Sequence, residues 1–222
     1  DRVKLDDFLV KTYNYNPEVR NNIQTYIDQW YSWYVGNVKD FHNYYVYNGQ
    51  RKRKKKRYTM NMSKEISEDW SDIIWSEKCK ISLADEKSQK TFDDVTNDLD
   101  LYSIINQAIE RSGALGTCAV VLGAYDIKEN EDTLVLDTNE AKLRLDIVDV
   151  DNIYPISWNN KEITECAFGS VEYINGIRHI ILSVHLLQDN GKYLIKNHLF
   201  RDTNGNLTEI TDEKNEENEK ID

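Results

Sequence analysis

Four histidines (His42, His179, His185, His198), three cysteines (Cys79, Cys118, Cys166) and the carboxylates between residues 126 and 151 are the side chains with which this chain could bind a metal or attack a substrate. A metal-dependent nuclease needs clustered carboxylates, usually with a lysine, to hold the ion and activate water. The nearest arrangement is Glu140 and Lys142 at a strand start, with Asp126, Asp132 or Asp137 upstream. A Glu and a Lys this close arise readily by chance in a chain that is 30% charged, so the nuclease stands only as an alternative. Asp146, Asp149 and Asp151 form a second group, but strand alternation sets Asp146 on the face opposite the other two, as on a solvated edge. The histidines show no HExxH and no close ligand spacing. His179 and His185 share strand parity, and no cysteine has a neighbouring histidine in sequence. Gly113, Gly116 and Gly123 follow a helix and precede a strand, the reverse of a phosphate cradle, so residues 112–117 read as a tight helix-to-strand junction. No catalytic residue, cofactor or metal site is expected, and the chain reads as a non-enzyme.

The strongest feature is a run of seven consecutive cations, Arg51, Lys52, Arg53, Lys54, Lys55, Lys56 and Arg57. The whole chain has a formal charge of −11; outside the run, 21 Lys and Arg face 39 Asp and Glu, which leaves −18. Charges this dense repel one another and resist burial, so the run is expected as an exposed loop, either simply solvated at the surface or in contact with DNA or an acidic partner. A second candidate surface is aromatic. Trp30, Trp33 and Tyr34 lie on a helix from Pro17 to Val35 whose apolar face is wider than a lone surface helix needs, which suits core packing, an assembly interface or an adaptor groove.

Helices in the first half and strands in the second must position these candidates. Asn16-Pro17-Glu18 is a helix-start signal, Ile23, Ile27, Trp30 and Tyr34 recur at helical spacing, and Gly36 can end the run. Ile66, Trp70, Ile73 and Ile74 mark a second helix from near Ser63, and residues 92–97 and 101–111 read as two more. From Thr117 the texture changes to short β-branched runs at 118–122, 134–136, 143–150, 163–173, 177–187 and 193–200. Asn175-Gly176, Asn190-Gly191 and Asn204-Gly205 supply hairpin turns. The expected fold class is α+β, N-terminal amphipathic helices followed by an antiparallel meander-like sheet. Its parts are a helical segment 1–50, a basic loop 51–57, a helical part 58–116, an antiparallel β part 117–210 and an acidic disordered tail or linker 211–222.

A length of 222 residues suits one large or two small domains, and 40% hydrophobic content is that of a globular chain. An odd number of widely spaced cysteines fits a reducing compartment. No apolar stretch approaches the ~18 residues of a membrane span, and no signal pattern opens the chain. A soluble, unsecreted protein without a membrane partner is expected. The chain opens at Asp1 rather than Met, as an excised or processed piece would.

Three segments carry a family resemblance. Tyr58-Thr59-Met60-Asn61-Met62-Ser63-Lys64-Glu65-Ile66, followed by Trp70 and Glu77, resembles portal proteins of tailed double-stranded DNA bacteriophages of the long-tailed, Gram-positive host type. Ile104 to Gly116 resembles that family's helix closing in a small-residue turn before a strand. Ile153-Tyr154-Pro155-Ile156-Ser157-Trp158, then Ile163, Glu165 and Phe168, is similar to its Pro-x-x-Trp turn and following strand. Order and spacing agree across most of residues 58–200. The resemblance implies a structural subunit of a homo-oligomeric ring, usually of twelve copies, at the capsid vertex of the virion. Such a ring passes double-stranded DNA during terminase-driven packaging and ejection and contacts capsid and head-tail connector proteins; it is made in the host cytoplasm. Within that family the chain resembles the N-terminal wing portion. Nothing in it matches the stem helices, clip or crown, so no channel-lining or motor-docking residue carries over.

Overall fold

The computed structural model describes residues 2–76, 78–125, 128–129, 136–137, 142–203 and 205–210. In chain order the helices are α1 (Arg2–Tyr13), α2 (Glu18–Tyr34), α3 (Lys39–His42), α4 (Met62–Ile74), α5 (Glu86–Asp98) and α6 (Leu101–Leu115). The strands are β1 (Asn43–Tyr47), β2 (Lys52–Lys56), β3 (Cys118–Tyr125), β4 (Lys128–Glu129), β5 (Leu136–Asp137), β6 (Lys142–Asp149), β7 (Ile153–Asn159), β8 (Glu162–Ile174), β9 (Ile177–Leu187), β10 (Tyr193–Thr203) and β11 (Asn206–Ile210). Two compact units result, one from Asp1–Gln24 with Asp151–Asp222 and the other from Thr25–Val150. The fold is α+β, with helices first and antiparallel strands after them.

The first unit is a five-stranded antiparallel meander, ordered β11-β10-β9-β8-β7, with α1 packed on one face. Alternation along β9 sends Ile180, Leu182 and Val184 into that face, where they meet Tyr154, Ala167 and Phe200 from the other strands and Leu5 and Leu9 from α1. The β8–β9 turn places Asn175 and Gly176 at φ of +52° and +77°, the left-handed pair that a two-residue hairpin requires. Strand β7 lies on the sheet edge, which lets it carry Pro155: a proline cannot donate to a ladder, and the register slips between Pro155 and Ser157.

In the second unit α4 and α6 pack together beside the two-stranded ribbon β3–β6, and Ile27, Leu115 and Val150 form a small core. The strands expected over 117–210 are therefore not one sheet, because β3 pairs only with β6 among the described residues. Helix α5 begins earlier than its apolar spacing suggests, because Asp85 caps it by accepting the Ser88 backbone N–H at 2.7 Å. Helix α6 ends at Gly116, whose φ of +88° favours glycine; a Cβ there would also lie 3.1 Å from the Trp30 indole, close enough that the ring would have to shift slightly.

Helix α4 presents an unexpected face. Ser67 and Ser71 are its buried residues, whereas Ile66, Trp70, Ile73 and Ile74 point outward, Trp70 59% and Ile73 75% exposed. Small side chains let α4 approach α6 closely. Asn106 then secures the contact, donating from Nδ2 to Asp72 Oδ1 at 2.9 Å and to the Trp75 carbonyl at 3.0 Å.

The basic run departs most from expectation. Lys52–Lys56 is not a loop: it is strand β2, paired along its whole length with β1. The aromatic and β-branched residues of β1 have high strand propensity and fix an extended partner for a run that has little propensity of its own. The expected acidic tail, residues 211–222, lies outside the described residues.

Candidate functional site

The basic hairpin is anchored at its root and closed by a defined turn. Asn48 Oδ1 accepts the backbone N–H groups of Gln50 at 3.3 Å and Arg51 at 3.0 Å, while Gly49 takes φ of +87°. At the other end the Arg57 N–H donates to the His42 carbonyl at 2.7 Å. The Arg57 guanidinium sits 4.7 Å from the Phe41 ring centre and 5.2 Å from that of Tyr44, a cation–π contact on both. Phe41 in turn packs at 5.3 Å from Trp33, and His42 is buried with the Val38 N–H donating to its Nδ1 at 3.0 Å. The seven cations thus divide by position: Arg51 belongs to the turn, Arg57 to the root, and the five between them form an exposed strand.

The aromatic candidates are spent partly within the second unit. Trp30 rests over Gly116, Trp33 over Phe41, and the Tyr34 hydroxyl donates to Glu110 Oε1 at 2.5 Å. Burial and the Glu110 carboxylate raise the Tyr34 phenol well above its ordinary range, so it stays protonated. Trp30 and Trp33 nevertheless remain 42% and 38% exposed, so each keeps an edge open to solvent.

The titratable groups scatter. Asp146 pairs with Arg144 at 2.7 Å, Asp149 takes Arg111 at 2.6 Å, and Asp151 accepts from Gln24 at 3.0 Å. Glu140, Asp126 and Asp132, together with the side chain of Asp137, lie outside what is described, and Lys142 opens β6. Among the described residues no group of three or more His, Cys, Asp or Glu could hold a metal ion. His179 faces Glu172 and Arg201 across its strand, whereas His185 faces Cys166 and Ile195.

Two juxtapositions were invisible in the linear order. His198 Nε2 lies 2.6 Å from the Tyr13 hydroxyl and its Nδ1 2.8 Å from Glu209 Oε1, a chain linking α1, β10 and β11. Burial, then the Glu209 charge, raises the Tyr13 phenol, so this triad holds α1 on the sheet and offers no phenolate nucleophile. The second is the Cys166–His185 pair. Burial pushes the Cys166 thiol up to about 12 and pulls His185 below its ordinary range, the opposite of an activated thiolate–imidazolium couple. We expect Cys166 to resist iodoacetamide at pH 8 in the folded chain and to react once urea unfolds it. Labelling in the folded chain at the rate of an unfolded cysteine, read by mass spectrometry, would contradict this. Because its folded pKa is raised, Cys166 contributes stability that is complete below the ordinary thiol pKa near 9 and is lost as pH climbs toward about 12.

The family model described as phage portal protein, SPP1 Gp6-like, matches residues 16–180, a span that runs from the start of α2 into β9 and includes the whole hairpin. A comparison with curated proteins found no match. No described helix is long and apolar enough to cross a membrane.

Proposed function

The chain belongs to the phage portal protein family of the SPP1 Gp6-like type, and from that premise we propose that it is the wing part of a subunit in the ring at the capsid vertex. DNA is packaged and ejected through that ring, which is built from identical copies, twelve in the usual arrangement. The ring meets capsid protein, terminase and the head-tail connector. The subunit is made in the host cytoplasm and ends in the virion, and its task is to transmit load and shape rather than to catalyse. The family match over residues 16–180 is the observation that carries this reading.

The surface of the second unit supports it. Ile66, Trp70, Ile73 and Ile74 place a stripe of large apolar side chains on the outer face of α4, and Trp30 and Trp33 keep exposed edges on α2. Such surface is costly in a monomer and is covered when copies pack side by side. Arg51 to Arg57 is its polyanion contact.

Sedimentation of the chain across a concentration series tests the assembly. We expect reversible self-association, and the double change Trp70→Glu with Ile73→Glu should raise the concentration needed by about tenfold or more, equivalent to about 1.4 kcal/mol. Both positions are exposed, so the subunit itself should keep its helical circular dichroism. A chain that stays monomeric up to its solubility limit, or a double variant that associates as well as its parent, would overturn the reading.

A further inference from the structure

The register of the hairpin sorts its side chains into two unlike faces. Directly opposed residues share a face, and successive residues alternate. The pairs Tyr45↔Lys54 and Tyr47↔Lys52, with Lys56 beyond them, therefore lie on one face, while Tyr44↔Lys55 and Val46↔Arg53 lie on the other. Tyr45 and Tyr47 are 66% and 65% exposed, and every residue of β2 is exposed. Among the described residues none of Lys52–Lys56 pairs with a carboxylate, although the remainder of the chain is strongly acidic. Five adjacent cations repel one another and lysine is a poor strand former, so the fold itself has no use for this charge.

We propose that the face formed by Lys52, Lys54 and Lys56 with Tyr45 and Tyr47 is a sequence-independent contact for the phosphate backbone of duplex DNA. Same-face lysines along a strand stand about 6.8 Å apart, a row of single charges that can each meet a phosphate oxygen. The Tyr45 hydroxyl beside them is a donor of the kind that contacts phosphate and sugar, whereas that of Tyr47 donates to the Gly49 carbonyl at 2.8 Å and contributes its exposed ring. A two-stranded ribbon is also narrow enough to enter the major groove, which is about 12 Å wide. The opposite face lacks this composition. Its tyrosine, Tyr44, is engaged by Arg57 at the root, which holds the ribbon to the body and leaves the lysine face to the ligand. Because the body carries negative charge, a duplex is attracted at the ribbon and repelled elsewhere, which gives a weak and salt-sensitive contact suited to DNA that moves past.

This rests on the reading of residues 51–57 as a polyanion contact and is independent of the ring. The test is fluorescence anisotropy of a short labelled duplex of mixed sequence, titrated with the chain at several salt concentrations. Two variants remove the same number of charges: Lys52→Gln, Lys54→Gln and Lys56→Gln from the proposed face, and Arg51→Gln, Arg53→Gln and Lys55→Gln from elsewhere in the run. The lysine triple should bind about tenfold or more weakly at low salt, with the slope of log K against log salt reduced by about 2.7, or about 0.9 per phosphate lost. The other triple should lose less than about threefold. All these positions are exposed or in the turn, and unchanged circular dichroism checks that each variant is folded. Equal losses in the two triples would reduce the effect to diffuse charge and overturn the face assignment alone. No binding by the parent chain at low salt, or a variant neutralised from Arg51 to Arg57 that binds as before, would overturn the polyanion reading with it. Tighter binding to a matched single strand than to the duplex would also overturn the proposal.

Discussion

Leu9→Ala should lower the stability of the first unit by about 2–5 kcal/mol, the range for truncating a buried leucine whose site cannot collapse around the loss. Leu9 is 0% exposed and meets a sheet face whose central residues, Leu182, Val184 and Ala167, are equally inaccessible. Among the described residues α1 is the only helix in that cluster, joined by Tyr15 from the link that follows it, so the cavity opens directly against β8 and β9. Val10, the next residue, points outward, and Val10→Ala should change stability by less than about 0.5 kcal/mol. Native-state hydrogen exchange separates the two: amides of β9 should lose protection in Leu9→Ala and keep it in Val10→Ala. If both variants exchange like the parent, α1 does not cover the sheet through Leu9.

That helix shows where sequence reasoning stopped. Leu5, Phe8 and Leu9 have helical spacing, but the stretch is short and flanked by charges, and its partner strands come from residues more than a hundred positions away, so nothing local marks it as part of a core. Strand β9 was readable to the residue because Ile177 to Leu187 alternates under a clear Asn-Gly turn. Strand β7 was hidden by Pro155, which argues against a strand until the edge position is known. The basic hairpin was missed for a related reason: dense like charge within residues 51–57 argues for a loop, whereas the β propensity that makes it a strand resides in Tyr44, Tyr45, Val46 and Tyr47 across the turn. Charge density marked the run as exposed, and the structure has it so. Only the pairing register could show that its cations divide between two faces, with Arg57 withdrawn to the root. For α4 the apolar stripe was legible and its direction was not, because the buried contact to α6 is made by serines, which carry no hydrophobic signal.

Arg20→Ala should also be costly to the first unit, by about 1.5–3 kcal/mol, because it removes a hydrogen bond from a charged donor and leaves the carbonyl that accepted it without that partner. Arg20 is 5% exposed, its Nη2 donates to the Asp151 carbonyl, and its guanidinium lies 4.4 Å from the Tyr154 ring centre. One helical turn later Gln24 Nε2 donates to Asp151 Oδ1 at 3.0 Å, so two side chains at i and i+4 hold the same residue. Their position along the chain gives the contact its weight: Gln24 is the last residue before the chain leaves this unit, and Asp151 is the first after it returns. The pair closes the unit across both crossings. Tyr15 reports the change, since burial raises its phenol to about 12 while the Arg20 charge opposes that shift. Arg20→Met keeps most of the volume over Tyr154 and removes the charge, so it should cost clearly less than Arg20→Ala in urea denaturation. Equal losses would mean that the guanidinium contacts, rather than packing on Tyr154, supply the stability. A loss below about 1 kcal/mol in both would remove Arg20 as the closure of the unit.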